Sequence, residues 1–222
     1  KRKGKRIVTT AIEHESVLQT VDELEKQGFE VIRLMPDKQG RITEQQVFDA
    51  VNSDTILVSM MYVNNEVGSI MPVKSIKKAV KRANAPALIH IDCVQAFGKL
   101  EVKPSKLGAD LVTVTAHKIH GPKGVGALYL KKGTRILPRV FGGEQEKKLR
   151  PGTEAIPLIA GFGVAADLIP DLKKQSEKIK EINTYAKEGL LSVPGVKINS
   201  GDDASDYIIN LFVPTFMTSQ TV

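Results

Sequence analysis

Apolar side chains along this chain alternate between two rhythms. Residues 6–11 are short, β-branched and apolar, and predict a strand. Residues 16–27 then set Val17, Val21 and Leu24 on one helical face behind a serine cap. Residues 30–34 are strand-like again, 37–40 form a turn, and 43–51 predict a capped helix with Val47 and Val51 facing inward. The run 55–63 is apolar without polar alternation, the pattern of a strand covered on both faces. After a loop at 64–68 and Pro72, residues 73–82 are amphipathic, and 87–92 predict another buried strand ending on a carboxylate. Residues 110–116 repeat that pattern and end on His117 and Lys118. The next run, 124–130, follows too closely for a parallel crossover, which needs about a dozen residues, so it must form a hairpin or return antiparallel.

This alternation predicts an α/β fold, a mainly parallel sheet covered by helices on both faces. Beyond Pro157 a helical stretch reaches Leu191 with a break near Pro170, and 196–198 and 207–213 predict two further strands. The expected division is a large domain over 1–165 and the beginning of a smaller α/β domain over 166–222.

A length of 222 residues with 41% apolar side chains is enough for one core and part of a second. No stretch approaches the roughly 18 apolar residues of a membrane span, and no leader precedes a cleavage site, so a soluble, cytoplasmic protein is expected. The lone Cys93 cannot form an internal disulfide, which agrees with a reducing compartment. Part of the net charge of +7 lies in Lys1, Arg2, Lys3, Lys5 and Arg6. No aromatic side chains are interleaved there to stack on bases, so the run reads as a solvated strand edge, with no nucleic-acid arm expected. The missing initial Met and a last residue in mid-segment lead to the expectation that both ends are cut.

In open α/β sheets ligands bind beyond the carboxyl ends of the strands. Four polar clusters follow predicted strands: Glu13 and His14; Asn64, Asn65 and Glu66; Asp92 with Gln95; and Thr115 through Lys118. Singly each has a plain explanation: a helix-start histidine, a turn pair, a helix cap, a surface lysine. Together, an amine, a carboxylate, imidazoles and amides at one sheet edge point to a held ligand. The set suits pyridoxal phosphate, which needs a lysine for its Schiff base and a carboxylate that keeps the pyridine nitrogen protonated. Lys118 and Asp92 are of those types. Gln95 suits the phenolic oxygen, His14 the ring face, and Thr115 with His117 the phosphate.

The runs His90-Ile91-Asp92-Cys93-Val94-Gln95 and Thr115-Ala116-His117-Lys118-Ile119-His120-Gly121-Pro122-Lys123-Gly124-Val125-Gly126 resemble the NifS-like cysteine desulfurases of the class V aminotransferase group, enzymes of pyridoxal-phosphate fold type I. Thr10 through His14, Val63 through Gly68, and Arg150-Pro151-Gly152-Thr153 extend the resemblance over nearly the whole chain. It implies that Lys118 is the Schiff-base lysine and proton carrier, Asp92 the partner of the pyridine nitrogen, and Gln95 the donor to the phenolic oxygen. His14 would stack on the ring and help move protons, Asn65 would lie beside it near the substrate carboxylate, and Thr115 and His117 would hold the phosphate. Thr153 would reach the phosphate of a neighbouring subunit, which implies a homodimer with shared sites. Two positions depart from the family: Thr115 is often serine, and Cys93 stands where a small residue is usual.

The implied reaction converts L-cysteine to L-alanine, leaves sulfur as an enzyme persulfide, and passes it to an acceptor protein serving iron–sulfur clusters or tRNA thiolation. The family's nucleophilic cysteine lies on a later loop, and its phosphate-cradling amides and substrate arginine also lie outside this sequence. The 222 residues alone are therefore expected to be inactive. Alternatives are a selenocysteine lyase, a small-molecule aminotransferase, or a noncatalytic scaffold. No metal site and no membrane contact are expected.

Overall fold

A computed structural model describes residues 4–214 of the chain. The apolar runs become a six-stranded sheet in the order β2-β1-β3-β4-β5-β6, with β1 Arg6–Thr10, β2 Glu30–Leu34, β3 Thr55–Met61, β4 Leu88–Asp92, β5 Leu111–Thr115 and β6 Gly126–Leu130. The first five run parallel and β6 returns antiparallel along β5. That return is the one its short connection required. Val8, Val58, Met60 and Ile91 are fully buried, and each such side chain contributes about 1.5–3 kcal/mol over leaving it in water.

Four helices connect the strands: α1 Glu15–Lys26, α2 Glu44–Ala50, α3 Val73–Arg82 and the single turn α4 Pro104–Leu107. Thr43 and Gln46 form a reciprocal capping box at the start of α2. Helix α3 buries Val73, Ser75, Ile76 and Ala79 and turns its lysines outward. The cap of α1 differs from expectation. His14 occupies the N-cap position and its Nδ1 accepts the backbone N–H of Ser16, which lies inside the first turn.

The chain steps from β1 out to β2, crosses back to β3 on the other side of β1, and then continues in one direction to β5. Right-handed crossovers place α1 on one face of such a sheet and α2, α3 and α4 on the other. Contacts of α3 with both α2 and α4 agree. The order therefore reverses between β1 and β3, and the loops leaving those two strands diverge there, opening a crevice.

Beyond β6 come α5 Ile156–Asp167 and α6 Leu172–Leu191, broken around Pro170 as the sequence predicts. The short strands β7 Lys197–Ile198 and β8 Leu211–Phe212 pair antiparallel in a separate sheet. The predicted strand 207–213 is thus shortened to two residues. The chain leading into it and its middle are engaged elsewhere: Ser205 N donates to Gly68 O (2.8 Å), Asn210 N to Ser200 Oγ (2.8 Å) and Asn210 Nδ2 to Glu66 O (3.2 Å).

Of the basic N-terminal cluster, Lys1, Arg2 and Lys3 lie outside the described residues. Arg6 pairs with Glu30 at 2.6 Å and reaches Ala50 O at 3.1 Å, as a strand-edge residue does. Among the described residues no helix is long and apolar enough to cross a membrane.

Candidate active site

The carboxyl ends of β1, β3, β4 and β5 converge on a cavity of about 290 Å³, near the lower end of the roughly 300–1,000 Å³ usual for small-ligand sites. Seven of the eight nominated residues line it: His14, Asn65, Asp92, Gln95, Thr115, His117 and Lys118. Thr153 does not. It stands exposed in the segment before α5.

Asp92 ends β4 and is buried, and its Oδ1 accepts the N–H of Val94 at 2.9 Å. That bond fixes the carboxylate at the strand end, and no described residue donates to Oδ2. Lys118 closes the short helical turn 116–118 that follows β5. It also borders a larger, mainly apolar hollow of about 770 Å³ bounded by α5 and the start of α6. Thr115 Oγ1 lies 2.9 Å from His117 Nδ1 and 3.2 Å from Val125 O, a hydroxyl and an imidazole held side by side.

His14 exposes its ring at the start of α1. Because Nδ1 accepts from Ser16 N at 3.2 Å, the proton of the neutral ring is on Nε2, leaving that atom as a donor. The loop after β3 is tied down by Asn64, whose Oδ1 accepts from Glu66 N and Val67 N (both 2.9 Å) and whose Nδ2 reaches Ile12 O (2.9 Å). Asn64 is thus a buried strut that brings Asn65 to the cavity beside His14.

Three residues beneath the cavity have roles that sequence reasoning missed. His90, buried in β4, has Nδ1 2.8 Å from Ser59 Oγ and Nε2 2.8 Å from Thr113 Oγ1. Burial holds its pKa below the ordinary histidine value against the opposing pull of Asp92, so the ring is a neutral link between two hydroxyls. The available signal was strand periodicity, which puts His90 on the same face as Asp92. Glu13 is buried, with Oε1 accepting from Thr10 Oγ1 (2.7 Å) and Met61 N (3.0 Å) and Oε2 without a partner. Burial pushes its pKa up to about 7, assisted by the charge of Asp92 and opposed by those two hydrogen bonds. Lys99 is the third, and its Nζ donates to Gln95 Oε1 at 3.0 Å.

Cys93 is fully buried, and burial together with the nearby Asp92 pushes its thiol up to about 12. It is packed as a small apolar side chain and is ill suited to form a thiolate.

The cavity therefore assembles from the nominated residues an amine, a carboxylate, two amides, two imidazoles and a hydroxyl at one sheet edge. That donor set fits pyridoxal phosphate: an amine for the aldehyde carbon, a carboxylate for the ring N–H, an amide for the ring oxygen, and a hydroxyl–imidazole pair for the phosphate.

A profile of the family described as aminotransferase class-V matches residues 1–222. The chain is 41% identical over 198 residues to a cysteine desulfurase IscS of Methanosarcina thermophila, covering 89% of this chain and 48% of the relative. It is 39% identical over 215 residues to a putative cysteine desulfurase IscS 1 of Bacillus subtilis strain 168, covering 95% and 56%. The chain thus spans about half the length of the curated relatives it matches. Among solved structures, a NifS-like protein superposes with a TM-score of 0.86 at 37% identity, covering 91% of this chain and 56% of that one. A structure titled SspA in complex with cysteine gives a TM-score of 0.81 at 34% identity over 94% of this chain and 58% of that one.

Proposed function

This chain belongs to the class-V aminotransferase family, and from that premise we propose that it serves a pyridoxal-phosphate-dependent cysteine desulfurase reaction. The observation that carries the reading is the convergence of Lys118, Asp92, Gln95, His14, Asn65, Thr115 and His117 on one cavity. Likeness to relatives named cysteine desulfurase, and to a structure titled as a complex with cysteine, supports the substrate.

When bound, pyridoxal phosphate supplies an electron sink for charge developing at the substrate's α-carbon. In this reading Lys118 Nζ anchors the cofactor and afterwards holds and moves the proton at that carbon. Asp92 balances the charge on the ring nitrogen, and Gln95 Nε2 donates to the ring oxygen. His14 covers the ring and carries a proton on Nε2, Asn65 orients the substrate carboxylate, and Thr115 with His117 binds the phosphate. Overall, the C–S bond of cysteine breaks, a thiolate takes the sulfur as a persulfide, and the carbon left behind takes a proton to give alanine. That thiolate is not Cys93, whose burial keeps it protonated.

The same reading includes a homodimer in which Thr153 reaches the neighbouring site. The exposure of Thr153 and of Leu137, Phe141 and Ile156 in the same stretch of chain supports this. It also includes a cofactor-binding domain over 1–165 followed by the start of a small domain, a sulfur-accepting protein, and a reducing, cytoplasmic setting. The test is product analysis of the full-length protein with L-cysteine, pyridoxal phosphate and a thiol reductant that releases the persulfide sulfur. Alanine and sulfide in equal amounts are expected, and a keto acid instead would replace desulfuration by amino transfer.

A further inference from the structure

Gln95 and Lys99 sit four residues apart in the tight turns after β4, which are held by Phe97 N to Cys93 O (2.8 Å) and Leu100 N to Ala96 O (2.8 Å). That spacing brings both side chains to one face, and Lys99 Nζ donates to Gln95 Oε1 at 3.0 Å. An ammonium has three donors and no acceptor, so its partner must be the amide oxygen and not the amide nitrogen. Chemistry therefore fixes an orientation that shape alone leaves open. The Nε2 donors remain, no described residue accepts from them, and Gln95 lines the 290 Å³ cavity.

We infer that Lys99 is a positioning residue: by holding Gln95 Oε1 it presents Gln95 Nε2 to the cavity as a donor for the ring oxygen of an aromatic ligand. This rests on the reading of Gln95 as partner to the cofactor's ring oxygen.

The placement of Lys99 argues against an ordinary surface lysine. Its ammonium is half-buried, lies 5.6 Å from the centre of the Tyr207 ring, and has no ion-paired carboxylate among the described residues. Burial, and then the charge of Lys118, lowers its pKa from the ordinary lysine value. A desolvated cation whose hydrogen bond goes to a cavity residue is held there at a cost. The turn is also wedged against the Lys118 segment. Gly98 has a φ of +77°, and a Cβ there would lie 2.8 Å from Ile119 Cγ2. Lys118, His120 and Tyr207 are the titratable groups that share the larger hollow with Lys99, while Asp92, His14 and His117 stand on the cavity side of Gln95.

Three substitutions test the inference: Lys99→Met removes the donor, Lys99→Arg keeps one, and Lys99→Gln offers its amide either way round, which also covers the case that the Met variant fails to fold. In cofactor-free protein the side-chain amide resonances of Gln95 are expected to move in the Met and Gln variants and to stay near wild type in the Arg variant. Unmoved resonances in Lys99→Met or Lys99→Gln would overturn the inference whatever the ligand. With pyridoxal phosphate added, the pH midpoint of the visible absorbance band is expected to rise in Lys99→Met by about one unit, a tenfold change. No further rise is expected when Lys99→Met is added to Gln95→Ala. An equal rise in that background would mean that Lys99 acts by charge alone, and would overturn its positioning role. Gln95 resonances that move as expected in a protein that gains no visible band would support the Lys99 assignment and sink the cofactor reading.

Discussion

The two halves of the chain treat their apolar side chains in opposite ways. Among the described residues the buried hydrophobic core runs from Ile7 to Ile119, while every large exposed hydrophobic residue except Met35 and Ile70 lies at or beyond Leu128. The first half is a sheet folded around its own core, and its strand ends hold the candidate site rigidly. The second half contains α5, which is apolar around its whole circumference yet has no buried residue. Helices of that kind are normally covered. The candidate site is thus built by the half with its own core, while the other half leaves apolar surface that the proposed homodimer would cover.

The largest expected effect tests whether the first half's strand ends carry the chemistry. Lys118→Ala should abolish the visible band gained with pyridoxal phosphate while leaving thermal unfolding nearly unchanged, because Lys118 borders the cavity and is exposed. A retained band would move the amine elsewhere. Next, Asp92→Asn in the full-length protein should slow turnover by roughly 100-fold, as losing a preorganised charge does, and weaken cofactor binding much less. An amide still forms a hydrogen bond but cannot balance a ring cation. Wild-type turnover would remove Asp92 from the site.

The contrast between the halves is sharpened by a matched pair measured by urea unfolding. Ile76→Ala, at a fully buried position of α3, should cost about 2–5 kcal/mol. Phe141→Ala, at a position 84% exposed, should stay within about 0.5 kcal/mol yet weaken self-association in sedimentation. Equal costs would erase the distinction between the two halves.

A smaller effect comes from Glu13, whose pKa is raised to about 7 by burial. The folded state then binds a proton that the unfolded state has lost. Its contribution is full below the ordinary carboxylate pKa and is lost as pH rises through about 7. His90 acts in the opposite sense, since its lowered pKa removes stability as pH falls below the usual histidine range. The difference between wild type and Glu13→Gln isolates the carboxylate, and it should vary by on the order of 3 kcal/mol between acid and mildly alkaline pH. A pH-independent difference would contradict the burial assigned to Glu13. The smallest effect is at Cys93: native protein should leave it unmodified by thiol reagents, with rapid labelling only on unfolding.

Much of the sheet was legible because parallel strands covered on both faces read as unbroken apolar runs, and all six strands begin and end within about two residues of the sequence expectation. Less visible were features set by distant partners. The α1 cap was read as serine because an imidazole acceptor at that position carries no usual sequence signature. Seven of the nominated residues reach one cavity because they follow strand ends. The roles of Glu13 and His90 were not legible, since their partners lie far along the chain: Met61 is 48 positions from Glu13, and Ser59 is 31 positions from His90. The predicted strand at 207–213 shrank for a similar reason, as Ser205 and Asn210 bond to the loop after β3.

The central claim is that the strand-end cavity holds pyridoxal phosphate through Lys118. Borohydride reduction of the protein with added cofactor, followed by peptide mapping by mass spectrometry, tests it most directly. The expected result is a pyridoxyl mass addition confined to Lys118. An addition on Lys99 or on exposed lysines in place of Lys118, or none at all, would contradict the account.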